Sequence, residues 1–104
     1  SKAVEYVQER YNDRNITIES ICRELGVSAA YFSTIFKKET GKTFINYLTD
    51  YRMEKAVELL MTTNDKTYVI AEKVGYADPN YFSYAFKKQY SMSPSKYRTA
   101  NREG

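Results

Sequence analysis

The run Tyr31-Phe32-Ser33, continued by Phe36-Lys37-Lys38, recurs as Tyr81-Phe82-Ser83 and Phe86-Lys87-Lys88. Working outward, Tyr47 recurs as Tyr97, and upstream Ile21 and Gly26 match Ile70 and Gly75. One extra residue lies between Gly75 and Tyr81, so the two turns differ in length by one. Self-similarity of this kind marks a duplicated supersecondary unit. Each copy reads as a short helix, a glycine-bearing turn and a second helix. In the first copy Ile21, Cys22, Leu25, Val27, Phe32 and Ile35 are expected to face inward, and Gly26 to take the positive φ that ends the first helix. Ile70, Ala71, Val74, Gly75, Tyr76, Phe82 and Ala85 fill the same roles in the second. Two helices joined by a short turn is the arrangement that sets its second helix in a major groove.

The remaining segments read as helices too. Val4, Val7 and Tyr11 sit at helical spacing, predicting a helix over residues 2–12. Thr17 and Ser28 are suited to cap the two helices of the first copy, and Gly41 to close the second of them. Thr43 predicts the start of a long helix carrying Phe44, Tyr47, Leu48, Tyr51, Ala56, Val57, Leu59 and Leu60, ending near Met61. Thr67 is expected to cap a fifth helix. Asp78-Pro79 and Ser93-Pro94 are strong start signals, because proline at the first helical position forgoes no amide bond. No stretch shows sustained strand alternation. The expected fold is all-α, with about seven helices: a first helix-turn-helix subdomain over residues 1–42, a linker helix over 43–61, a second helix-turn-helix subdomain over 62–100, and a polar tail over 101–104. The chain opens on Ser1 and reads as a piece of a longer protein.

Composition narrows the function. The chain has 104 residues, one cysteine, no histidine and a formal charge of +3. Without histidine the commonest general base and metal ligand is missing. Cys22 has no histidine to activate it, carboxylates are scattered, and no glycine-rich phosphate loop appears. No catalytic residue, cofactor or metal is therefore expected. No apolar run approaches the roughly 20 residues of a membrane span, and the chain reads as soluble and cytoplasmic. Residues 25–38 and 79–98 contain no acid, while the second stretch holds Lys87, Lys88, Lys96 and Arg98. Charge alone says no more than two solvated helix ends.

The outward faces say more. With Phe32, Ile35 and Phe36 inward, the opposite stripe of the first reading helix shows Ala30, Ser33, Thr34 and Lys37. With Phe82, Ala85 and Phe86 inward, the second shows Asn80, Ser83, Tyr84 and Lys87. Small polar groups can bond base edges, and Ala30 can touch a thymine methyl. Ala30, Ser33, Thr34, Asn80, Ser83 and Tyr84 are the expected base contacts. Ser28, Tyr31, Lys37, Lys38, Tyr81, Lys87 and Lys88 are the expected phosphate contacts. Helix N-termini near Ser28 and Asp78 are expected to offer free amides as well. A linker helix of about 18 residues, roughly 27 Å long, suits a monomer that places two reading helices in adjacent major grooves, about 34 Å apart. The alternative is a helical protein-interaction module whose repeat serves packing alone.

The run Tyr31–Gly41, the Tyr47-Leu48 segment with Arg52, Ala56, Leu59 and Leu60, the run Val74–Ser83 and the closing Met92–Arg98 together resemble the AraC/XylS-type regulators. The resemblance covers residues 4–98. It implies a bilobal seven-helix fold, double-stranded DNA at a promoter as partner, recruitment of RNA polymerase, and a sensor or receiver domain upstream. The wording around Tyr31 and Asp78 is similar to the output domains of AraC-type response regulators. In that family arginine is common where Thr34 and Tyr84 stand, and it usually reads guanine. Its absence here implies a more A·T-rich preference and weaker intrinsic affinity.

Overall fold

The structure, a computed structural model, describes residues 2–102. Among them the chain forms seven α-helices and no strand: α1 (Lys2–Arg10), α2 (Ile18–Leu25), α3 (Ala29–Thr40), α4 (Phe44–Thr62), α5 (Thr67–Lys73), α6 (Pro79–Tyr90) and α7 (Pro94–Arg102). The all-α expectation holds. The chain divides into two compact units between Tyr51 and Arg52, inside α4. The helix expected to be a linker is thus shared. Its first half buries Phe44 and Leu48 in the first unit, and its second half buries Met53, Ala56 and Leu60 in the second.

In the first unit, Val7 of α1, Ile16, Ile21 and Cys22 of α2, and Phe32 and Phe36 of α3 close on Phe44 and Leu48. Phe36 is the hub: its ring stacks on Phe32 at 5.5 Å and meets Phe44 and Tyr47 edge-on at 5.9 and 5.4 Å. Thr17 caps α2 by accepting from the Ser20 amide, while Ser20 Oγ accepts from the Thr17 amide. Gly26 ends α2 at φ 70°, with its N–H on Cys22 O. No atom lies within 4 Å of where a Cβ at Gly26 would stand. Backbone conformation, not space, is what demands glycine there. Ile35, expected in the core, is only half-buried, as is Val27. Both line a shallow apolar groove with Leu25 and Tyr31.

In the second unit, Ile70, Ala71, Val74, Phe82 and Phe86 are buried together with Met53, Ala56 and Leu60. Phe86 is again the hub, 5.9 Å from Phe82, 4.6 Å from Tyr90 and edge-on to Tyr97 at 5.5 Å. Thr67 does not cap α5. It is the first helical residue, and Lys66 occupies the cap position without a side-chain bond, its carbonyl accepting from Val69 and Ile70. Ala85, expected inward, is half-buried.

The C-terminal end of α4 is closed by α7. Arg98 donates through Nε to Leu60 O (3.1 Å), through Nη1 to Asp65 O (2.7 Å) and through Nη2 to Thr63 O (3.1 Å). Arg102 adds Nη1 to Thr63 O at 2.7 Å. The last carbonyls of a helix have no intrahelical donor; here a guanidinium serves Leu60 O in the last turn of α4, and two serve the carbonyls of the segment just beyond it. This corrects two expectations. Arg98 is not part of a free basic surface, and residues 101 and 102 are not tail: Asn101 bonds Tyr97 O and α7 runs through Arg102. Residues 103 and 104 lie outside the described residues.

Candidate nucleic-acid interface

The two reading helices start and stop by local chemistry. Ser28 caps α3, its Oγ accepting from the Tyr31 amide at 3.1 Å. Asp78 caps α6, its Oδ1 accepting from the Asn80 amide at 2.9 Å, with Pro79 in the first turn. The α6 terminus is therefore a poorer anion site than expected: Pro79 has no N–H, and that of Asn80 is spent on the Asp78 carboxylate.

Pinning Phe32 and Phe36 inward turns Ala30, Ser33, Thr34, Tyr31, Lys37 and Lys38 outward, and all six are exposed, as is Ser28. Pinning Phe82 and Phe86 inward does the same for Asn80, Tyr81, Tyr84, Lys87 and Lys88. Ser83 differs, being half-buried. Thus α3 gathers one set of expected contacts and α6 the other, each on a continuous outer face of its own helix.

Electrostatics separates these lysines from three others in the chain. Lys42, Lys55 and Lys73 pair with Asp50, Glu58 and Asp65. Lys37, Lys38, Lys87 and Lys88 have no carboxylate within ion-pair distance among the described residues. The last turn of each reading helix therefore carries two cations not neutralised by an acid.

The faces differ in aromatic content. On α6, Tyr84 leans on Tyr81 (centroids 6.3 Å apart), and Tyr81 on Tyr76 (6.0 Å). The guanidinium of the buried Arg52 lies 5.2 Å above the Tyr76 ring. Sequence reasoning places Tyr76 in the core, and it is half-buried. The available signal is the exchange of Val27 for Tyr76 between the copies.

Cys22 is buried, and burial pushes its thiol up from the ordinary value, with the Glu19 charge adding to the effect. Among the described residues no cluster of histidine, cysteine or carboxylate could hold a metal, and no helix is long and apolar enough to cross a membrane.

The helix-turn-helix domain family matches residues 21–100. The C-terminal domain of the two-component response regulator yesN from Fusobacterium nucleatum is 45% identical at a TM-score of 0.86, covering 94% of this chain and 99% of that one. The C-terminal domain of AraT, a response regulator from Geobacillus stearothermophilus, is 44% identical at a TM-score of 0.93, covering 96% and 83%.

The chain belongs to the AraC-type helix-turn-helix DNA-binding domains.

Among full-length relatives, the raffinose operon transcriptional regulatory protein RafR of Pediococcus pentosaceus is 41% identical over 96 residues, 92% of this chain and 34% of that protein. The chain spans about a third of the length of the curated relatives it matches. Membership of a DNA-binding family favours DNA over the interaction-module alternative, and the family is one of transcription regulators rather than of enzymes.

Proposed function

We propose that α3 and α6 each enter a major groove of one duplex and read it, as the output end of a bacterial transcription regulator. Ala30, Ser33 and Thr34 of α3, and Asn80, Ser83 and Tyr84 of α6, meet base edges. Lys37, Lys38, Lys87 and Lys88 neutralise phosphates, and Tyr31, Tyr81 and the Ser28 hydroxyl hydrogen-bond them. The observation that carries this reading is the repeated outward face: two helices built on matching buried phenylalanines, each exposing polar side chains and ending in two cations with no acid partner. Because the two faces differ in residue type, the site is asymmetric rather than palindromic.

The chain performs no catalysis in this reading; its chemistry is recognition. The likeness to response-regulator output domains supports an upstream receiver domain, RNA polymerase as the protein partner and a cytoplasmic location. Selection from a random duplex library tests the base contacts. Ser33→Ala and Asn80→Ala should each change the enriched sequence at a different half of the site, with little change in overall affinity. An unchanged consensus in both variants would remove these side chains from base reading.

A further inference from the structure

We propose that Tyr84 is a specificity-determining residue that recognises the 5-methyl group of thymine through its ring, and that Tyr81 and Tyr76 are positioning residues that hold that ring in place. The inference rests on the DNA-binding reading above and deepens it.

Tyr84 is 64% exposed and Tyr81 is 56% exposed, unusually open for aromatic side chains on a helix whose other face is a core. An isolated exposed ring needs no explanation, but these form a supported series. Tyr84 contacts Tyr81 with ring planes tilted by 37°, and Tyr81 contacts Tyr76 at 45°. Tyr76 in turn contacts the buried Phe82 at 5.7 Å and lies beneath the guanidinium of Arg52, itself 8% exposed. The outermost ring is thus braced, through two neighbours, against buried residues of its own unit. A braced ring has lost rotamer freedom before a ligand arrives, so contact costs less ordering.

Tyr81 and Tyr84 sit in the first half of α6, between Asn80 and the lysines of the last turn, and Tyr76 lies in the turn before it. It makes an apolar step in an otherwise polar reading face. A major groove offers one apolar group at base level, the thymine methyl. The first unit lacks the device. Val27 stands at the place of Tyr76 and Thr34 at the place of Tyr84.

The test uses this chain and the duplex enriched by selection, with each thymine replaced singly by deoxyuridine, which removes only the methyl. Binding by fluorescence anisotropy should weaken by about four-fold, the worth of one buried methyl, at one or two positions within the α6 half of the site. Tyr84→Phe should keep that discrimination and Tyr84→Ala should abolish it. Because Tyr84 is exposed, both variants should retain wild-type helicity by circular dichroism. Indifference to deoxyuridine at every position overturns the proposal, as does discrimination surviving in Tyr84→Ala. Equal loss in Tyr84→Phe and Tyr84→Ala would assign the contact to the hydroxyl and also overturn it. Failure of the wild-type chain to enrich any duplex would instead defeat the underlying DNA-binding reading.

Discussion

The two units solve one structural problem with different residues. Both bury a phenylalanine pair from the reading helix, Phe32 and Phe36 or Phe82 and Phe86, against a tyrosine one helix later, Tyr47 or Tyr97. They part company at the outward pairs Ala30/Asn80 and Thr34/Tyr84 and at the helix ends. In the first unit α3 stops at Gly41 with φ 75°, and Thr40 Oγ1 donates back to Phe36 O. In the second, α6 stops at Ser91 with φ 66°, and Tyr90 packs on Phe86 and Tyr97 instead. The first helix of the second unit is the far half of α4; Arg98 ties its Leu60 O, and Arg102 ties Thr63 O just beyond it. The first unit has Leu48, a buried core residue, at the position matching Arg98. The buried phenylalanines and the outward tyrosine, serine and lysine pairs are common to both copies, while the helix ends and the outward positions 30/80 and 34/84 differ.

The sharpest way to break this comparison is to remove its shared element. Phe36→Ala and Phe86→Ala should each cost about 3–5 kcal/mol, because each empties a fully buried hub. Hydrogen exchange should show protection lost mainly in residues 2–51 for the first variant and in residues 52–102 for the second. Equal loss in both units from either variant would make the two cores one cooperative structure. Next in size is Arg98→Ala, expected to cost about 2–3 kcal/mol in urea denaturation by removing three charge-assisted hydrogen bonds, the one to Asp65 O having no second arginine to replace it. The corresponding change at Leu48 removes a core side chain instead, so its cost should follow volume and not hydrogen bonding. Smaller still is the helix-end pair. Ser91→Gly should stabilise by about 1 kcal/mol by relieving left-handed strain, and Gly41→Ser should destabilise by a similar amount. At Gly41 a Cβ has open space around it. A cost well above that figure would therefore point to a role for Gly41 beyond its backbone angle.

Signals that act over one helical turn are legible in the chain itself. Thr17, Ser28 and Asp78 cap the helices they precede, and Gly26 adopts the left-handed conformation its position demands. The matched buried phenylalanines follow from spacing alone. Contacts across long stretches of chain are not legible in this way. The partners of Arg98 lie 33 to 38 residues upstream, so nothing local distinguishes it from the lysines around it. The same applies to Arg52, whose guanidinium lies over a ring 24 residues on, the difference between positions 76 and 52. Thr67 misleads because a good capping residue is followed by helix, yet the helix begins on Thr67 itself. Ile35 and Ala85 obey the helical period but lie at the margin of units too small to cover them. For the interface, the outward faces are legible because they are the complement of the phenylalanine pairs. The bracing of Tyr84 is not, since the exchange of Val27 for Tyr76 does not say where the new ring lies.

In the proposed function both units grip one duplex through the cations at the ends of α3 and α6. The salt dependence of duplex binding by the wild-type chain, Lys37→Ala, Lys87→Ala and the double variant tests this grip. The slope of log affinity against log salt should flatten by about one for each lysine removed, and by about two in the double variant. A slope unmoved by one lysine, with binding retained, would remove that lysine from the phosphate contacts, and a slope unmoved in the double variant would contradict a two-handed grip through these cations.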